Sequence, residues 1–186
     1  MEQKTLVFKN KRVRDAIAAK TTDNYKSTRN QVRDLSDRMF ETSEQLKCLN
    51  NLYMGTTGDN KEETLKSIKV MEKEIKLKIA GYARQDKNKG LFDSEKIIKY
   101  EECLDKIVGS KLKCHYCHCN LCLLYKEVRQ SDQWTLERLD NDDCHSEANT
   151  VIACLECNIK RRNQDTDGFM MSKNMNIVKQ SVVKKE

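Results

Sequence analysis

The fold is decided by two short stretches of sequence, CHYC at residues 114–117 and CLEC at residues 154–157. Each stretch is a Cys-x-x-Cys pair, and the 36 residues 118–153 separate the two pairs. Zinc in closed structural sites takes four tetrahedral ligands and favours thiolates. A Cys-x-x-Cys turn presents two sulfurs to one ion. The sequence therefore predicts one structural Zn²⁺ site, made by Cys114, Cys117, Cys154 and Cys157.

Further candidate ligands surround the first pair, which leaves alternatives open. Cys119 and Cys122 form another Cys-x-x-Cys pair, His115 and His118 lie between these cysteines, and Cys144 stands alone further on. Either Cys119 or Cys122 could replace one cysteine of the first pair. A second metal ion would lack an obvious set of four ligands, and the alternative to a zinc site is a set of unrelated thiol pairs.

The composition limits the class of protein. Nine cysteines, an odd number that includes Cys-x-x-Cys pairs, argue against a secreted disulfide scaffold and favour a reducing, intracellular setting. The sequence contains no apolar run as long as a membrane span and no signal peptide, so no membrane association is expected. The absence of proline and the presence of only six glycines favour long helices.

Apolar residues recur at helical spacing through residues 1–110, which predicts a helical N-terminal region. Asp23 and Asp93 stand where they could cap helices, and Gly55 and Gly58 interrupt the pattern. The predicted helices span residues 11–20, 23–53, 61–85 and 93–107, with a loop over residues 86–91. The second and third of them could pair as a hairpin or present an apolar stripe to a partner chain. Cys48 and Cys103 fall on apolar helix faces, and we expect both to be buried.

The pattern changes at residue 111, where cysteines become dense and short apolar stretches appear. Residues 121–129 and 133–139 are predicted strands, residues 151–153 a short apolar step, and residues 155–164 a helix. A knuckle, a hairpin and a helix that share one zinc ion form a treble clef. The predicted fold is therefore α+β, with a zinc-binding module over residues 111–168 and a polar tail over residues 169–186.

The segment WTLERLDNDDCHSEANTVIACLECNIKRR, residues 134–162, carries a family resemblance. It resembles the HNH endonuclease family, in particular the zinc-binding members in which cysteine pairs flank a ββα-metal motif, and it is similar to such proteins of phages and large eukaryotic DNA viruses. The resemblance implies a DNA endonuclease that hydrolyses phosphodiester bonds with Mg²⁺ or Mn²⁺. It also implies a setting in the host nucleus or a cytoplasmic viral factory, or packaging in a virion.

The resemblance assigns roles to four residues of the motif. Glu137 is the carboxylate that binds the catalytic ion, Asn149 orients the motif, and Asn158 completes the metal site. The base position falls on Arg138, which departs from the family because arginine stays protonated and cannot act as a general base. Arg138 could instead clamp a phosphate.

Two nearby side chains could replace the missing histidine. Asp140 follows two residues after Arg138, and His145 lies in the loop that comes next. A histidine titrates near pH 6.5 and suits the role of a base. The alternatives are that Asp140 shapes the turn and that His145 is a surface residue or an accessory ligand.

Basic residues near the motif are the predicted contacts to DNA. Residues 1–57 carry 11 Lys/Arg against 7 Asp/Glu, and residues 158–186 carry 7 against 3, so the basic surplus lies at the two ends. The alternative for the second of these regions is an ordinary basic helix end. The expected phosphate contacts are Lys160, Arg161 and Arg162 on the last helix, with Lys126 and Arg129 from the hairpin.

Two other functions remain open. Without its histidine, the same fold could be a catalytically inactive zinc protein that binds nucleic acid or serves in a virion. Self-association or a protein partner would then engage the N-terminal helices. A redox role for the clustered cysteines is the third reading.

Overall fold

A computed structural model of the chain describes Arg29, residues 32–56 and residues 62–175. The described residues form an α+β fold, as predicted, in which helices surround a small two-stranded sheet. After a 3₁₀ helix over Asp37–Phe40, the elements are α1 (Thr42–Met54), α2 (Glu62–Lys89), α3 (Tyr100–Gly109), β1 (Trp134–Arg138), β2 (Thr150–Cys154), α4 (Leu155–Arg161) and α5 (Thr166–Asn174). No described helix combines the length and the apolar character needed to cross a bilayer.

The first long helix predicted from the sequence is shorter in the structure. Extended backbone at Ser36 and Glu41 separates the 3₁₀ helix from its neighbours, and α1 begins only at Thr42. The carboxylate of Glu63 accepts the Ser36 N–H at 2.8 Å, which holds this region away from α-helical geometry. Gly55 ends α1 in the left-handed conformation, as its position predicted. The predicted helix over residues 11–20 and the cap at Asp23 lie outside the described residues.

The boundaries of α2 and α3 also differ from the prediction. The polar residues 86–89 continue α2 instead of forming a loop, because Asp86 is fully buried and has partners elsewhere in the chain. Asp93 caps a short turn, where its carboxylate accepts the N–H groups of Glu95 and Lys96. Helix α3 starts later, at Tyr100, with the Glu102 carboxylate accepting the Lys99 N–H at 2.8 Å.

One apolar core joins the helices to the C-terminal region. Helices α1, α2 and α3 pack on one another through buried residues that include Leu49, Met71 and Ile107. The predicted burial of Cys48 and Cys103 is confirmed. The same core continues through the buried residues of the sheet, Trp134, Leu136, Ile152 and Ala153.

The sheet consists of β1 and β2, paired antiparallel with Trp134 opposite Cys154 and Arg138 opposite Thr150. The predicted strand over residues 121–129 is wrong, since this segment makes only an isolated bridge at Cys122 and has a left-handed residue at Arg129. Helix α4 ends at Arg161, before the predicted end. The predicted polar tail begins as α5, whose Phe169 is buried with its ring centroid 5.1 Å from that of Tyr116.

A side chain of α1 bonds the backbone in the middle of residues 121–129, the segment that was predicted as a strand. Gln45 is fully buried, and its Oε1 accepts the N–H groups of Leu123 and Leu124 at 2.7 and 2.9 Å. Its Nε2 donates to the carbonyl oxygens of Leu124 and Phe40 at 3.0 and 3.2 Å. Gln45 therefore supplies the hydrogen bonds that a partner strand would have supplied.

Replacing Gln45 with methionine is expected to lower the free energy of unfolding by at least about 3 kcal/mol. The apolar side chain fills similar space but leaves several buried backbone groups without partners, each of which costs about 1–3 kcal/mol. Urea denaturation measures the change. Asn50→Ala, on an exposed position of the same helix, is the matched control and should stay within about 0.5 kcal/mol of the parent. A Gln45→Met change as small as that of the control would contradict this account.

Candidate metal centre and basic groove

The four cysteines of the two Cys-x-x-Cys pairs come together as predicted. The Sγ atoms of Cys114, Cys117, Cys154 and Cys157 all lie within 4.8 Å of one another, and Cys117 and Cys154 are 3.9 Å apart. Two sulfurs bound tetrahedrally to one zinc ion lie about 3.8 Å apart. The quartet is therefore placed to hold one metal ion, in an arrangement consistent with structural zinc. Among the described residues, it is the one such group of cysteine, histidine and acidic side chains.

Local backbone geometry prepares these sulfurs for a metal. Cys154 is both the last residue of β2 and the N-cap of α4, where its Sγ accepts the Cys157 N–H at 3.3 Å. The Cys114 Sγ accepts the Cys154 N–H at 3.3 Å. The hydrogen bond with the Cys154 thiol lowers the pKa of Cys114 to about 4, and the same contact raises the pKa of Cys154. This contact thus favours the thiolate, the form that binds metal, at Cys114.

The other cysteines near the quartet are not part of it. Cys122 donates from its thiol to the Asp132 carboxylate at 3.2 Å, and Cys144 is buried in the loop between the strands. Cys119 is exposed, and its carbonyl oxygen accepts the Cys114 N–H, which closes the knuckle. Neither Cys119 nor Cys122 replaces a cysteine of the first pair.

A groove of about 570 Å³ runs between α2 on one side and β1, the following loop and α4 on the other. Its lining includes four basic side chains, Lys78, Lys89, Arg138 and Arg162, and five side-chain amides. Glu137 is the one acidic residue among the described residues that line it. We call this the basic groove. Its charge and hydrogen-bonding groups suit an anionic ligand.

Glu137 and Arg161 form a buried ion pair beside the basic groove. Arg161 Nε donates to Glu137 Oε1 at 2.6 Å, and the side chains are 7% and 2% exposed for Glu137 and Arg161. Burial raises the pKa of Glu137 above its usual value, and the guanidinium opposes that rise. Arg161 also donates to the carbonyl oxygens of Arg138 and Gln164 at 2.5 and 2.8 Å. The prediction that Arg161 contacts phosphate is wrong, because its guanidinium is committed inside the fold.

Asn149 closes the loop between the strands. Its Oδ1 accepts the Asp140 N–H at 2.8 Å, and its Nδ2 donates to the carbonyl oxygens of Asp140 and Cys144 at 2.9 and 3.0 Å. Asp140 itself accepts the Asp142 N–H through its carboxylate, is exposed, and does not line the basic groove. Of the two readings of Asp140, the structure supports the turn-shaping residue and not the base.

His145 does line the basic groove, and it is 4% exposed. Its Nδ1 lies 2.7 Å from Asp86 Oδ1, and its ring stacks on that of Tyr82 with centroids 4.7 Å apart. Burial lowers the pKa of His145, and the Asp86 carboxylate opposes the decrease. The imidazole is therefore neutral at neutral pH, which is the state that a general base requires.

Asn158 and Arg138 complete the motif at the basic groove. Asn158 Nδ2 donates to the Thr135 hydroxyl at 3.3 Å, so Asn158 lies next to β1, the strand that carries Glu137. On α4 it precedes Arg161 by one helical turn. Arg138 donates to the Asp143 carbonyl oxygen at 2.8 Å, and its NH1 lies 3.9 Å from the Asp86 carboxylate. Glu137, Arg138, His145 and Asn158 thus share one groove.

Sequence reasoning missed the wall of the groove that α2 supplies. Lys78, Tyr82 and Asp86 stand at intervals of four and form one polar stripe of α2, the α2 stripe. Lys78 donates to the Trp134 carbonyl oxygen, and the Tyr82 hydroxyl accepts the Leu136 N–H at 3.0 Å, so the α2 stripe covers the free edge of β1. The spacing of four residues could have indicated this shared helix face. The three residues differ in chemical type, however, and α2 carries many exposed charged residues at other positions.

The remaining basic residues predicted to contact DNA take different positions. Arg162 is exposed, lines the basic groove and has a positive backbone φ of 51°. Lys160 pairs with Glu156, and Lys126 pairs with Asp37, both away from the groove. Arg129 is exposed and also lies outside the groove lining. Of Lys126, Arg129, Lys160 and Arg162, only Arg162 lines the groove that holds the motif residues.

No family model, curated protein or solved structure matches this chain. The fold and the site therefore define its class. It is an α+β protein with a four-cysteine cluster placed to bind a metal ion and a basic groove beside the sheet.

Proposed function

We propose that this chain is a metal-dependent DNA endonuclease of the HNH type. The observation that carries the proposal is the basic groove, onto which Glu137, His145 and Asn158 open together. The exposed Lys89 and Arg162 of the same lining, with the guanidinium of Arg138, would hold the phosphodiester backbone, whereas Lys78 is committed to the Trp134 carbonyl oxygen. Three of the four motif residues that the HNH resemblance assigns, Glu137, Arg138 and Asn158, lie on β1 and α4, which form the wall of this groove opposite α2.

His145 is the proposed general base, in place of the histidine that Arg138 replaces. Its Nε2 has no hydrogen-bond partner among the described residues and is not wholly buried, so a water molecule in the groove could reach it. The lowered pKa keeps this nitrogen unprotonated at neutral pH. Arg138 is the proposed phosphate clamp, since it lines the groove with a permanent charge.

Glu137 and Asn158 are the proposed ligands of a divalent ion. Glu137 Oε2 and Asn158 Oδ1 have no hydrogen-bond partner among the described residues, and Mg²⁺ takes one or two such oxygens while keeping several waters. When bound, the ion would stabilise charge on the scissile phosphate and on the leaving oxygen. The two free oxygens fit this role, although Arg161 already holds Oε1 of the same carboxylate.

The four-cysteine cluster has a structural part in this proposal. With zinc bound, the knuckle at residues 114–117, the hairpin of β1 and β2, and α4 would form a treble clef. Because Cys154 joins β2 to α4, the zinc ion would fix the angle at which Asn158 faces Glu137.

The test is cleavage of supercoiled, linear and branched DNA by the purified protein with Mg²⁺ or Mn²⁺. His145→Ala and Asn158→Ala should each lower the rate by about 10²–10⁴-fold, because each removes a group that acts on the reacting atoms. Asn50→Ala and Glu101→Ala, both at exposed helix positions, are the matched controls and should cut at the parent rate. Activity that is absent, or equal in all four variants, would reject the nuclease proposal.

A second candidate function is DNA binding without hydrolysis, in a cell or in a virion. The ion pair of Glu137 with Arg161 favours it, because a neutralised carboxylate attracts a divalent ion less strongly. This function predicts that Arg162→Ala weakens DNA binding in a salt-dependent manner while no DNA is cut.

A further inference from the structure

We infer that Asp86 and Tyr82, two residues of the α2 stripe outside the HNH-like segment, are positioning residues that hold His145 with Nδ1 protonated and Nε2 free for the groove. This inference deepens the proposed function and rests on it. It makes the N-terminal helical region part of the same site as the zinc-binding module.

Three hydrogen bonds fix His145, which is unusual for a residue in a loop. Its backbone N–H donates to Asp86 Oδ2 at 2.8 Å, and its carbonyl oxygen accepts the Ile98 N–H at 2.8 Å. The third bond joins Nδ1 to Asp86 Oδ1 at 2.7 Å. A loop residue tied at both backbone atoms and at its ring is held in one orientation.

The carboxylate of Asp86 determines which ring nitrogen carries the proton. Asp86 is fully buried, accepts a backbone N–H on one oxygen and has the Arg138 guanidinium 3.9 Å from the other. A carboxylate in this position accepts hydrogen bonds on both of its oxygens. Nδ1 must therefore donate, and the lone pair of the neutral ring resides on Nε2.

Tyr82 fixes the plane of the imidazole. The two rings stack with an interplanar angle of 28°, and the Tyr82 hydroxyl accepts the N–H of Leu136 in β1. Tyr82 thereby fixes the position of the His145 ring relative to β1, the strand that carries Glu137. Because Tyr82 and Asp86 are one helical turn apart, α2 holds both the face and the edge of the imidazole.

The charged groups that face His145 set the sign of the expected pH dependence. They are Asp86 and Lys89 from α2 and Arg138 from β1. Asp86 raises the pKa of His145, whereas burial and the two cations lower it. Replacing Asp86 with asparagine removes the opposing carboxylate, so the pKa of His145 should decrease further.

Nitrogen NMR of protein labelled with ¹⁵N-histidine tests the arrangement without DNA. The parent should show His145 as the Nδ1–H tautomer at neutral pH, with His145→Gln used to assign its signals. In Asp86→Asn, a mixture of tautomers and a titration at lower pH are expected. Glu74→Gln is the matched control, since Glu74 is a buried carboxylate of the same helix that pairs with Arg29 away from the groove.

Kinetics on cleaved DNA provide the second measurement. For Asp86→Asn we expect kcat to decrease on the order of 10²-fold with little change in KM, and the acid limb of the rate profile to move to lower pH. Tyr82→Leu should lower kcat and Tyr82→Phe, which keeps the stacked ring, should recover most of it. If DNA is cut and Asp86→Asn changes neither the tautomer nor the acid limb, the inference fails. If His145 shows the expected tautomer and shift but no DNA is cut, the proposed function fails.

Discussion

Replacement of Cys157 with serine is expected to unfold the C-terminal part of the chain and to release the bound metal. Structural zinc contributes on the order of 10 kcal/mol to the folding of small zinc-binding units. The sheet it would hold has only two strands of five residues each, and the segment over residues 121–129 adds no third strand. A two-stranded sheet of this size is marginally stable by itself, so loss of the metal leaves it only its packing against the helices.

Metal analysis and thermal unfolding with and without a chelator measure this effect. The parent should bind one zinc ion per chain, and the chelator should produce the same loss of structure as Cys157→Ser. Cys122→Ser is the matched control, because Cys122 lies outside the quartet and serine can keep the hydrogen bond to Asp132. A parent protein that keeps its melting temperature after complete metal removal would show that the quartet does not hold a structural ion.

Replacement of Arg161 with methionine is expected to lower the free energy of unfolding by about 3–5 kcal/mol. The change leaves the Glu137 carboxylate buried without its partner, and removing one member of a buried ion pair has this magnitude. It also removes donors from the carbonyl oxygens of Arg138 and Gln164. Arg161 therefore ties the end of β1 to the end of α4, which are two of the elements that border the basic groove.

A comparison of two neighbouring arginines makes the Arg161 test specific. Arg162→Met should leave stability within about 0.5 kcal/mol, because that side chain is exposed, while it weakens DNA binding. Adding Glu137→Gln to Arg161→Met should recover part of the lost stability, since the uncompensated charge is then absent. Urea denaturation of the parent, Arg161→Met, Arg162→Met and the double variant Glu137→Gln/Arg161→Met gives these values. Equal stability of Arg161→Met and Arg162→Met would contradict the assigned role of the buried pair.

The two arginines also show how the basic groove differs from a simple basic patch. Sequence counting treats Lys160, Arg161 and Arg162 as one cluster. In the fold, Arg161 points into a network of carbonyl oxygens, Lys160 pairs with Glu156, and Arg162 lines the groove. Three adjacent basic side chains therefore take three different roles, because Lys160 and Arg161 face different directions on the helix and the chain leaves the helix at Arg162.

Several features could be read from the sequence by itself. The spacing of the two Cys-x-x-Cys pairs identified the metal quartet, because a metal site requires ligand types and spacings that few other structures need. Alternating and apolar stretches located β1, β2 and α4 with errors of a few residues, and apolar periodicity identified Cys48 and Cys103 as buried. The role of Asn149 in orienting the motif was implied by the family resemblance and stays a prediction, while its side chain closes the loop between the strands. These are local properties of short segments.

Only the tertiary structure decided the rest. Asp86 and His145 are separated by 59 residues, and Glu137 and Arg161 by 24, so no local pattern indicates that each pair is buried together. The burial of Asp86 also explains why α2 continues through residues that look like a loop, and the four hydrogen bonds of Gln45 explain why residues 121–129 need no partner strand. A charged or polar side chain becomes an internal residue when a distant segment supplies its partner. The fold determines which distant residue becomes that partner. The spacing of the four cysteines determines the metal centre but carries no information on these buried pairs.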